Sequence, residues 1–386
     1  MIAAPRVLFV TRRFWPLAND NIWRMLGLAG ALQAAGCQAQ ILTAQWHSAW
    51  PEQVELRDLR VNRLAPSPST PFRSRRYGRI LCDWVARHGS LFDCLVVDAI
   101  EEDAIALTAR FSAEAPPAIV RYDATECGGP LMERLHHRVV TACRQAAHVV
   151  VPHEHARREL ASVGIPIQKI SLVPDGPYPK YERNEMTRGL ARRALADINH
   201  ELFLRGDDRL CICPCELTKV AGLDLLVRAL GPLLDIQRDV RCWIVGDGPE
   251  RSRLAELLRR EGWKNDILMP GTFEDVDVLL LAADLCLLPG ASQGLSWLLP
   301  TAVINGLTTF ACDSPAARSR LGSNTSPLLF EQGNTLHLRD KVESWLQRPK
   351  SWKQATADAA QHFLNATLFV EQWRELIAQF ERMKRL

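Results

Sequence analysis

The amino-acid sequence predicts an α/β fold made of two doubly wound domains in tandem. A chain of 386 residues exceeds the size at which one hydrophobic core usually keeps growing. Short apolar runs alternate with segments of helical periodicity, as is typical of parallel sheets covered by helices on both faces. The alternation stops at a polar, arginine-rich stretch, 180–208, and then begins again.

The first half of the chain contains six apolar runs of strand length. A helix predicted over 22–35 follows the first run and ends at Gly36, a residue type common just after a helix end. Asp175-Gly176-Pro177 closes this half. The predicted strands are 7–11, 39–43, 94–97, 118–122, 148–151 and 170–173.

The second half repeats the alternation. Its leucines recur at helical spacing over 223–234 and 250–260, which predicts two helices. Two such domains leave a cleft between them, and ligands of these sheets bind beyond the carboxyl ends of the strands. The predicted strands are 210–213, 242–245, 267–269, 285–288 and 308–311.

Composition and charge narrow the class of protein. With 47% hydrophobic and 24% charged residues, the chain is typical of a globular protein and not of a disordered one. A net charge of +3 gives no reason to expect nucleic acid as a partner. The sequence has no run of about 20 apolar residues, so no membrane-spanning helix is predicted.

The cysteines and histidines do not form a metal-binding pattern. Eleven cysteines, an odd number, favour reduced, buried thiols and a cytoplasmic protein over a disulfide framework. Three of them alternate along one predicted strand, 211–215, without a second pair at zinc-knuckle spacing. The sequence His153-Glu154-His155 is interpreted as a helix start. No metal site is expected.

A glycine turn, Gly246-Asp247-Gly248, follows the strand 242–245 and precedes a helix. Pro249 suits the first position of that helix because its missing N–H would be unpaired there anyway. Backbone N–H groups at such a turn approach an anion, and the helix dipole adds partial positive charge. The turn is therefore a candidate phosphate site. The alternative is a tight strand-to-helix turn without a ligand.

These motifs carry a resemblance to a known family. The second half contains Val245-Gly246-Asp247-Gly248-Pro249 followed by Leu254, then Pro270-Gly271 and the run 283–289, ADLCLLP. The first half begins with a strand that ends in the run 11–17, TRRFWPL, and its last part, 148–176, is similar to the family's interdomain crossing. Over nearly its whole length the chain resembles the family 4, or group 1, glycosyltransferases of GT-B fold.

The resemblance implies a retaining transferase that moves a hexose-type sugar from a nucleotide-sugar onto a hydroxyl of a glycan or lipid-linked acceptor. Two Rossmann-like domains would face each other across a cleft, with the donor in the C-terminal one. The implied bounds are 1–178, an interdomain segment 179–207, a C-terminal domain 208–364, and a helix 365–386 that packs on the N-terminal domain. No cofactor is expected, because the nucleotide-sugar is a substrate and cationic groups stabilise the departing diphosphate.

The chain departs from the family pattern at the cations that hold the donor phosphates. The family has an Arg and, five residues on, a Lys before the first helix of the C-terminal domain. The matching positions here are Glu216 and Ala221. Lys219 is the nearby cation that can replace them. A carboxylate facing a diphosphate opposes binding by Coulomb repulsion, so Glu216 points away or the donor site is altered.

A second departure concerns the two family glutamates that bind the sugar hydroxyls and the ribose. Gln293 and Thr301 occupy those positions. Gln293 can still exchange hydrogen bonds with hydroxyls, and the backbone of Gly294, Leu295 and Ser296 completes the candidate donor site. Thr301 is short for a ribose clamp, and packing within a helix is its alternative role.

The acceptor-side candidates lie near the first strand. Arg12 and Arg13 are candidate cations, and Asn19-Asp20-Asn21 stands where the family commonly has a glycine pair. The alternative for these three polar residues is to cap the helix that follows them.

Two carboxylates at predicted strand ends, Asp98 and Asp123, are the candidate catalytic residues that would orient the acceptor hydroxyls. Asp98 stands where the family often has a histidine that contacts the donor sugar. Either aspartate could equally cap a helix.

A basic stretch, 57–87, contains many arginines and few acidic residues. We expect its part from Arg73 to Arg79 to make peripheral contact with anionic lipid headgroups at the inner face of the membrane. A solvated surface loop is the alternative, because three prolines lie within the stretch.

Two functional hypotheses remain. An active transferase with an atypical donor pocket is supported by the glycine turns and the two-domain layout. A non-catalytic GT-B partner subunit in the same kind of pathway is supported by the loss of both cations and both glutamates. A nucleotide-sugar epimerase of the same fold is a third option, and it requires acid and base side chains that the sequence does not identify.

Overall fold

The chain folds into two compact units, each with its own sheet. The first contains Met1–Phe14, Met25–Asp175 and Thr367–Leu386, and the second contains Trp15–Arg24 and Gly176–Ala366. This architecture confirms the prediction of two doubly wound α/β domains. The computed structural model describes residues 4–17, 19–98, 102–109, 116–123, 130–176, 182–321, 326–363 and 369–384.

An eight-stranded sheet forms the centre of the first unit. Its strands are β1 Arg6–Val10, β2 Gln38–Ala44, β3 Gln53–Leu56, β4 Leu59–Leu64, β5 Cys94–Asp98, β6 Ala118–Arg121, β7 His148–Val151 and β8 Ile170–Leu172. The order across the sheet is β3-β4-β2-β1-β5-β6-β7-β8. Only β3 pairs antiparallel, with β4. β1 is buried almost throughout, as expected of a strand covered on both faces.

Helices connect the strands of the first unit. They are α1 Asp20–Ala34, α2 Pro71–His88, α3 Glu102–Thr108, α4 Pro130–Gln145 and α5 Glu154–Ser162. α1 begins in the second compact unit and continues in the first.

A six-stranded parallel sheet forms the centre of the second unit. Its strands are β9 Arg209–Pro214, β10 Val240–Val245, β11 Ile267–Gly271, β12 Leu285–Leu288, β13 Thr308–Cys312 and β14 Leu329–Phe330, in the order β11-β10-β9-β12-β13-β14. Its helices are α6 Glu185–Ile198, α7 Leu223–Ile236, α8 Arg251–Arg260, α9 Val276–Ala282, α10 Leu298–Ile304, α11 Pro315–Leu321, α12 Thr335–Gln347 and α13 Pro349–Ala360.

The last helix, α14 Phe369–Lys384, belongs to the first unit. Trp373, Ile377 and Phe380 lie on its buried stripe, and the ring of Phe380 is 6.2 Å from the imidazole of His148. Helical spacing of apolar residues places such a stripe on one face. Within the described part of the chain, no helix combines enough length and apolar character to cross a membrane.

The predicted interdomain segment is folded as part of the second unit. α6 forms within it and buries Ala191 and Leu195. Arg192 donates a hydrogen bond to Asp284, the residue just before β12, at 2.7 Å. The described part of this segment therefore packs within the second unit through an apolar face and a partly buried ionic contact, and the predicted domain bounds stay a prediction.

The basic stretch 57–87 forms β4, a connection at 65–70 that contains two of the three prolines, and α2. The surface-loop alternative therefore fits only this connection. The side chain of Thr70 caps α2, and Pro71 takes its first turn, where a missing N–H costs nothing. Tyr77, Leu81 and Val85 recur at helical spacing and are buried. This apolar stripe stabilises a helix despite the arginines on its other faces.

The described cysteines are free thiols, and all but Cys82 are buried. Cys211, Cys213 and Cys215 lie on or just after β9, as packing residues. Burial raises the pKa of the Cys242 thiol, on the neighbouring strand, to about 12. Such thiols stay protonated and act as small apolar side chains.

Candidate functional site

The strand order of the second unit reverses between β9 and β12. These strands are neighbours, but β10 lies on the far side of β9 and β13 on the far side of β12. In open α/β sheets, ligands bind at such a switch point, beyond the carboxyl ends of the strands. The loops that follow β9 and β12, 215–222 and 289–297, are therefore the candidate site.

The two loops are in direct contact. Gly222 has a φ of 71°, and a Cβ on it would lie 2.5 Å from the carbonyl oxygen of Pro289. The Nε2 of Gln293 donates a hydrogen bond to Oγ1 of Thr218 at 3.0 Å. Two contacts thus hold the loops together. One is a backbone contact at Gly222 that leaves no room for a side chain, and the other is the hydrogen bond between Gln293 and Thr218.

Gln293 has an unused acceptor at this switch point. Its Oε1 is buried and accepts no hydrogen bond from the residues that the structure describes. A buried polar atom without a partner costs about 1–3 kcal/mol. The amide is oriented by Thr218, and because the Oε1 has no exposed surface in this conformation, a ligand hydroxyl reaches it only if the loop 289–297 moves.

Lys219 is an exposed cation in the loop after β9. It begins a single 3-10 turn, Lys219–Ala221, whose last residue is buried. Glu216 lies three residues earlier and is partly buried. The loop therefore carries one cation and one carboxylate, and the replacement of the family's phosphate cations by Lys219 stays a prediction.

The glycine turn after β10 packs against the loop after β9. Gly246 has a φ of 146°, and a Cβ on it would lie 1.8 Å from the carbonyl oxygen of Cys215. A Cβ on Gly248 would lie 2.5 Å from the carbonyl oxygen of Leu217. The N–H of Leu217 donates to the carbonyl of Asp247 at 3.0 Å. This close approach of two backbones requires both glycines.

The N–H groups of both glycines have partners within the protein. Gly246 donates to the carbonyl of Gly271 at 2.8 Å, and Gly248 donates to Oδ1 of Asp247 at 2.8 Å. The geometry therefore supports the tight-turn interpretation of this motif. A phosphate would have to displace the Asp247 carboxylate to reach the second N–H.

Helix α8 begins at Arg251, one residue after the start of the predicted helix 250–260. Pro249 lies outside it, so the prediction that Pro249 takes the first helical position is wrong. Glu250 precedes the helix, and its buried carboxylate accepts a hydrogen bond from Arg253. A carboxylate next to a helix start interacts favourably with the partial positive charge of the helix dipole, and it repels a second anion.

A carboxylate from the start of α1 lies at the start of α10. The N–H groups of Ser296 and Leu298 donate to Asp20 at 2.7 and 2.8 Å, and that of Trp297 donates at 3.2 Å. Both segments belong to the second unit. The first N–H groups of a helix have no partner within it and attract anions. Asp20 therefore occupies donors that would otherwise be available to an anionic ligand.

Burial controls the charge of Asp20. It raises the pKa of the carboxyl above its ordinary value of 3.8, while the three backbone N–H donors and the charge of Arg24 oppose the rise. A protonated carboxyl loses part of its capacity to accept hydrogen bonds. The Asp20 carboxyl, whose pKa is raised on folding, therefore takes up its proton at a higher pH than an ordinary aspartate.

Asn19 supplies the cap of α1. Its Oδ1 accepts a hydrogen bond from the N–H of Ile22 at 3.0 Å, so the predicted capping role is confirmed for Asn19. Asn21 lies in the first turn of α1. The different role of Asp20 had no local signal in the sequence, because its partner Ser296 is 276 residues away along the chain.

We expect Asp20→Ala to lower the free energy of unfolding of the second unit by about 1–3 kcal/mol, because three buried N–H groups lose their acceptor. Urea denaturation followed by tryptophan fluorescence measures the loss. Trp297, one of the three donors, and Trp23 report on the region, since their rings lie 6.4 Å apart. Asn21→Ala is the control. Equal losses in the two variants would show that the contact adds nothing.

Thr301 is fully buried in α10, at 0% exposure. Its Oγ1 is also enclosed and makes no hydrogen bond among the described residues. A ribose therefore has no access to this hydroxyl. The prediction that Thr301 binds the donor is corrected to a packing role, because its position on α10 faces the core.

Arg12 and Arg13, predicted on the acceptor side, lie in different environments of the first unit. The Arg12 guanidinium donates to Oδ1 of Asp103 at 3.0 Å and to Oγ of Ser74 at 2.8 Å. Arg13 is exposed and lies over the ring of Trp46, 5.3 Å from its centroid. Arg12 is thus fixed by its partners, whereas Arg13 is held against one aromatic face.

Asp123, predicted to be catalytic, lies in a buried charge cluster at 0% exposure. Its Oδ2 is 3.7 Å from a guanidinium nitrogen of Arg121, which also donates to Asp175 at 2.9 Å. His153 contacts Asp123 at 3.0 Å through Nε2 and caps α5 through Nδ1. A catalytic carboxylate has to touch the substrate. The prediction for Asp123 is therefore corrected to a structural role.

Asp98 ends β5, close to its predicted position, but its side chain lies outside the described residues.

The described ranges contain no candidate metal site. No group of three or more His, Cys, Asp or Glu residues in them is arranged to hold a metal ion.

Two family models match most of the chain. Residues 208–348 match the glycosyl transferases group 1 model, and residues 22–176 match the glycosyl transferase 4-like domain. Each match falls mainly within one of the two compact units. The two halves of the chain therefore point to the same family.

Known proteins resemble the chain in sequence and in fold. A 2-deoxystreptamine glucosyltransferase of Streptomyces kanamyceticus is 23% identical over 240 residues, which span 56% of this chain and 57% of that relative. Sucrose-phosphate synthase from Thermosynechococcus elongatus has a TM-score of 0.72 at 17% identity, covering 97% of this chain and 98% of its own. Anabaena Alr3699/HepE, solved with UDP and glucose, has a TM-score of 0.72 at 15% identity, covering 96% and 99%. The two structural likenesses show the GT-B fold.

Proposed function

Since the chain belongs to the group 1 glycosyltransferases, we propose that it is a retaining enzyme that transfers a hexose-type sugar from a nucleotide-sugar. The acceptor is a hydroxyl of a glycan or lipid-linked molecule in polysaccharide or glycolipid biosynthesis. The proposal is supported by the ligand of one structural neighbour, UDP with glucose, and by the glucosyltransferase activity in the name of the sequence relative.

The observation that carries the proposal is the free Oε1 of Gln293 at the switch point of the second sheet. Sugars bind mainly through hydroxyls, which donate well to a fixed amide oxygen. Thr218 orients the amide. A sugar hydroxyl admitted by a movement of the loop 289–297 would supply the donor that the buried Oε1 lacks.

In the proposed reaction, the bond between the anomeric carbon and the nucleotide diphosphate breaks, and a bond to the acceptor oxygen forms. The proton of the acceptor hydroxyl leaves with the diphosphate. Lys219, exposed beside Gln293's partner Thr218, stabilises the negative charge that develops on the diphosphate. We propose that the reaction needs neither a metal nor a cofactor.

We further propose that the protein works in the cytoplasm and contacts the membrane surface peripherally. The contact would involve Arg73 to Arg79, which lie on α2. A row of exposed guanidinium groups attracts anionic headgroups within about a Debye length.

Transfer activity tests the proposal directly. We expect release of nucleotide from UDP-, GDP- or ADP-hexose in the presence of acceptor glycans. Gln293→Ala should lower kcat/KM about tenfold, or about 1.4 kcal/mol, because a hydrogen bond to the sugar is lost. The control is Ser292→Ala, an exposed neighbour. An equal effect of both substitutions would remove Gln293 from the donor site.

A non-catalytic partner subunit is the second candidate function. It is favoured by the carboxylate of Asp20, which occupies three backbone donors at the start of α10. Glu216 and the buried Ala221 add no cation to the site. Absence of nucleotide binding by the folded protein would support this function over the transferase.

A further inference from the structure

The first unit contains a cavity of about 540 Å³ with a strongly basic lining. It is bordered by α2, α3 and α4, and by the loop after β1. Its charged lining residues are Arg12, Arg75, Arg79 and Arg138. No carboxylate is among the described residues that line it. The cavity is large enough for a small anionic ligand.

Small residues form the wall of the cavity where α2 and α3 meet. Gly78 of α2 and Ala106 of α3 line it, and a Cβ on Gly78 would lie 3.3 Å from the Cβ of Ala106. Ala109 also lines the cavity. The two helices therefore approach closely at this wall, and its short side chains carry no charge into the cavity.

Arg12 forms a rigid part of the cavity wall. Its guanidinium is bonded to Asp103, which is fully buried, and to Ser74. It also lies over the ring of Tyr77, 5.6 Å from the centroid. The Asp103 carboxylate balances the charge of Arg12, whose role is to supply a fixed donor group beside the cavity.

The other three lining arginines have no carboxylate partner among the described residues. Arg75, Arg79 and Arg138 are exposed, and none of them forms an ion pair with a residue that the structure describes. Arg75 and Arg79 lie one helical turn apart on α2, where like charges cost a helix about 0.2–0.5 kcal/mol. Asp83, the carboxylate of α2, is not paired with Arg79. An anion in the cavity would relieve this repulsion.

We propose that the cavity binds a phosphate or diphosphate group through Arg75, Arg79 and Arg138. Guanidinium groups match phosphate oxygens with two parallel hydrogen bonds and keep their charge at any physiological pH. Three of them, from two helices, line the same cavity. The site lies within the first unit, so the inference does not depend on the proposed donor site of the second unit.

The phosphate can come from a free phosphorylated molecule or from a lipid headgroup. Isothermal titration with inorganic pyrophosphate, at about 0.15 M ionic strength, tests the shared chemistry, because that salt screens attraction beyond about 8 Å. The test variant is Arg75→Gln/Arg79→Gln. Its matched control is Arg60→Gln/Arg87→Gln, which removes the same charge from exposed positions outside the cavity lining and outside the proposed membrane contact, Arg73 to Arg79.

We expect pyrophosphate to bind the wild-type protein and the control variant with the same Kd. The cavity variant should bind at least tenfold more weakly, with an unchanged thermal unfolding temperature. Arg138→Gln, on a different helix, should also weaken binding. No pyrophosphate binding by wild type, or equal weakening in the cavity and control variants, would overturn the proposal.

Vesicles distinguish the two sources of phosphate. Sedimentation with phosphatidylglycerol vesicles, against phosphatidylcholine vesicles, measures lipid binding. If a headgroup is the ligand, the cavity variant alone loses vesicle binding and pyrophosphate competes with the vesicles. Pyrophosphate binding without any vesicle binding identifies a free phosphorylated molecule. Vesicle binding that both variants lower equally, and that pyrophosphate does not reduce, would overturn the cavity as the site.

Discussion

Gly246→Ala is expected to remove a large part of the stability of the second unit. The added Cβ would lie 1.8 Å from the carbonyl oxygen of Cys215, far inside contact distance, and the backbone φ of 146° disfavours any L side chain. Steric overlap with backbone and torsional strain together cost about 4 kcal/mol or more. That is a large part of the 5–15 kcal/mol typical of a domain. Urea denaturation measures it.

The control for this prediction is Gly262→Ala. Gly262 has a φ of 82°, but a Cβ on it meets nothing within 4 Å. We expect a loss of about 1–2 kcal/mol from strain alone. Should Gly246→Ala cost no more than Gly262→Ala, the loop after β9 would not lie against the glycine turn as described.

Arg121→Ala is expected to lower the free energy of unfolding of the first unit by about 3–5 kcal/mol. The substitution leaves the carboxylates of Asp123 and Asp175 buried without their shared cation. Breaking a buried ion pair by removing one partner exposes the full desolvation cost of the other. Thermal unfolding and urea denaturation at pH 7 measure the effect.

Arg158→Ala is the matched control, because the Arg158 side chain is 79% exposed and its ion-pair partner among the described residues is the exposed Glu154. Surface pairs contribute little, so we expect a change within about 0.5 kcal/mol. Similar stabilities of the two variants would reopen Asp123 as a catalytic carboxylate, because the cluster would then have no structural role.

The alternation of strands and helices could be predicted from the sequence because buried parallel strands are nearly continuous apolar runs. β9, β10 and β12 illustrate this pattern. The glycines of the turn after β10 could also be recognised locally. The reason why these positions must be glycine could not be predicted. The backbone that leaves no room for a side chain belongs to the loop 215–217, about 30 residues away in sequence.

Residues whose role depends on distant partners were predicted poorly. Asp20 looked like a helix cap, yet its partners are the N–H groups at the start of α10. Asp123 ends a strand, as a catalytic carboxylate often does, but Arg121 and Asp175 enclose it. Burial and charge pairing are properties of the tertiary structure, and residue type at a strand end does not encode them.

In the basic stretch, 57–87, local residue types were misleading about secondary structure. Its prolines and arginines suggested a loop, whereas Pro71 starts α2 and the apolar residues at helical spacing decide the structure. The arginines on one side of that helix then line a cavity with Arg138 of α4. Only the packing of α2, α3 and α4 shows which arginines share a site.

Nucleotide binding by the second unit is the most direct test of the transferase assignment. Calorimetric titration of the folded protein with UDP, GDP and ADP should show micromolar affinity for one of them. Lys219→Ala should weaken it at least tenfold, about 1.4 kcal/mol, while Lys264→Ala, another exposed lysine, leaves the Kd unchanged. No binding of any nucleotide would contradict the transferase account and favour the partner subunit, and equal Kd values for the two lysine variants would remove Lys219 from the donor site.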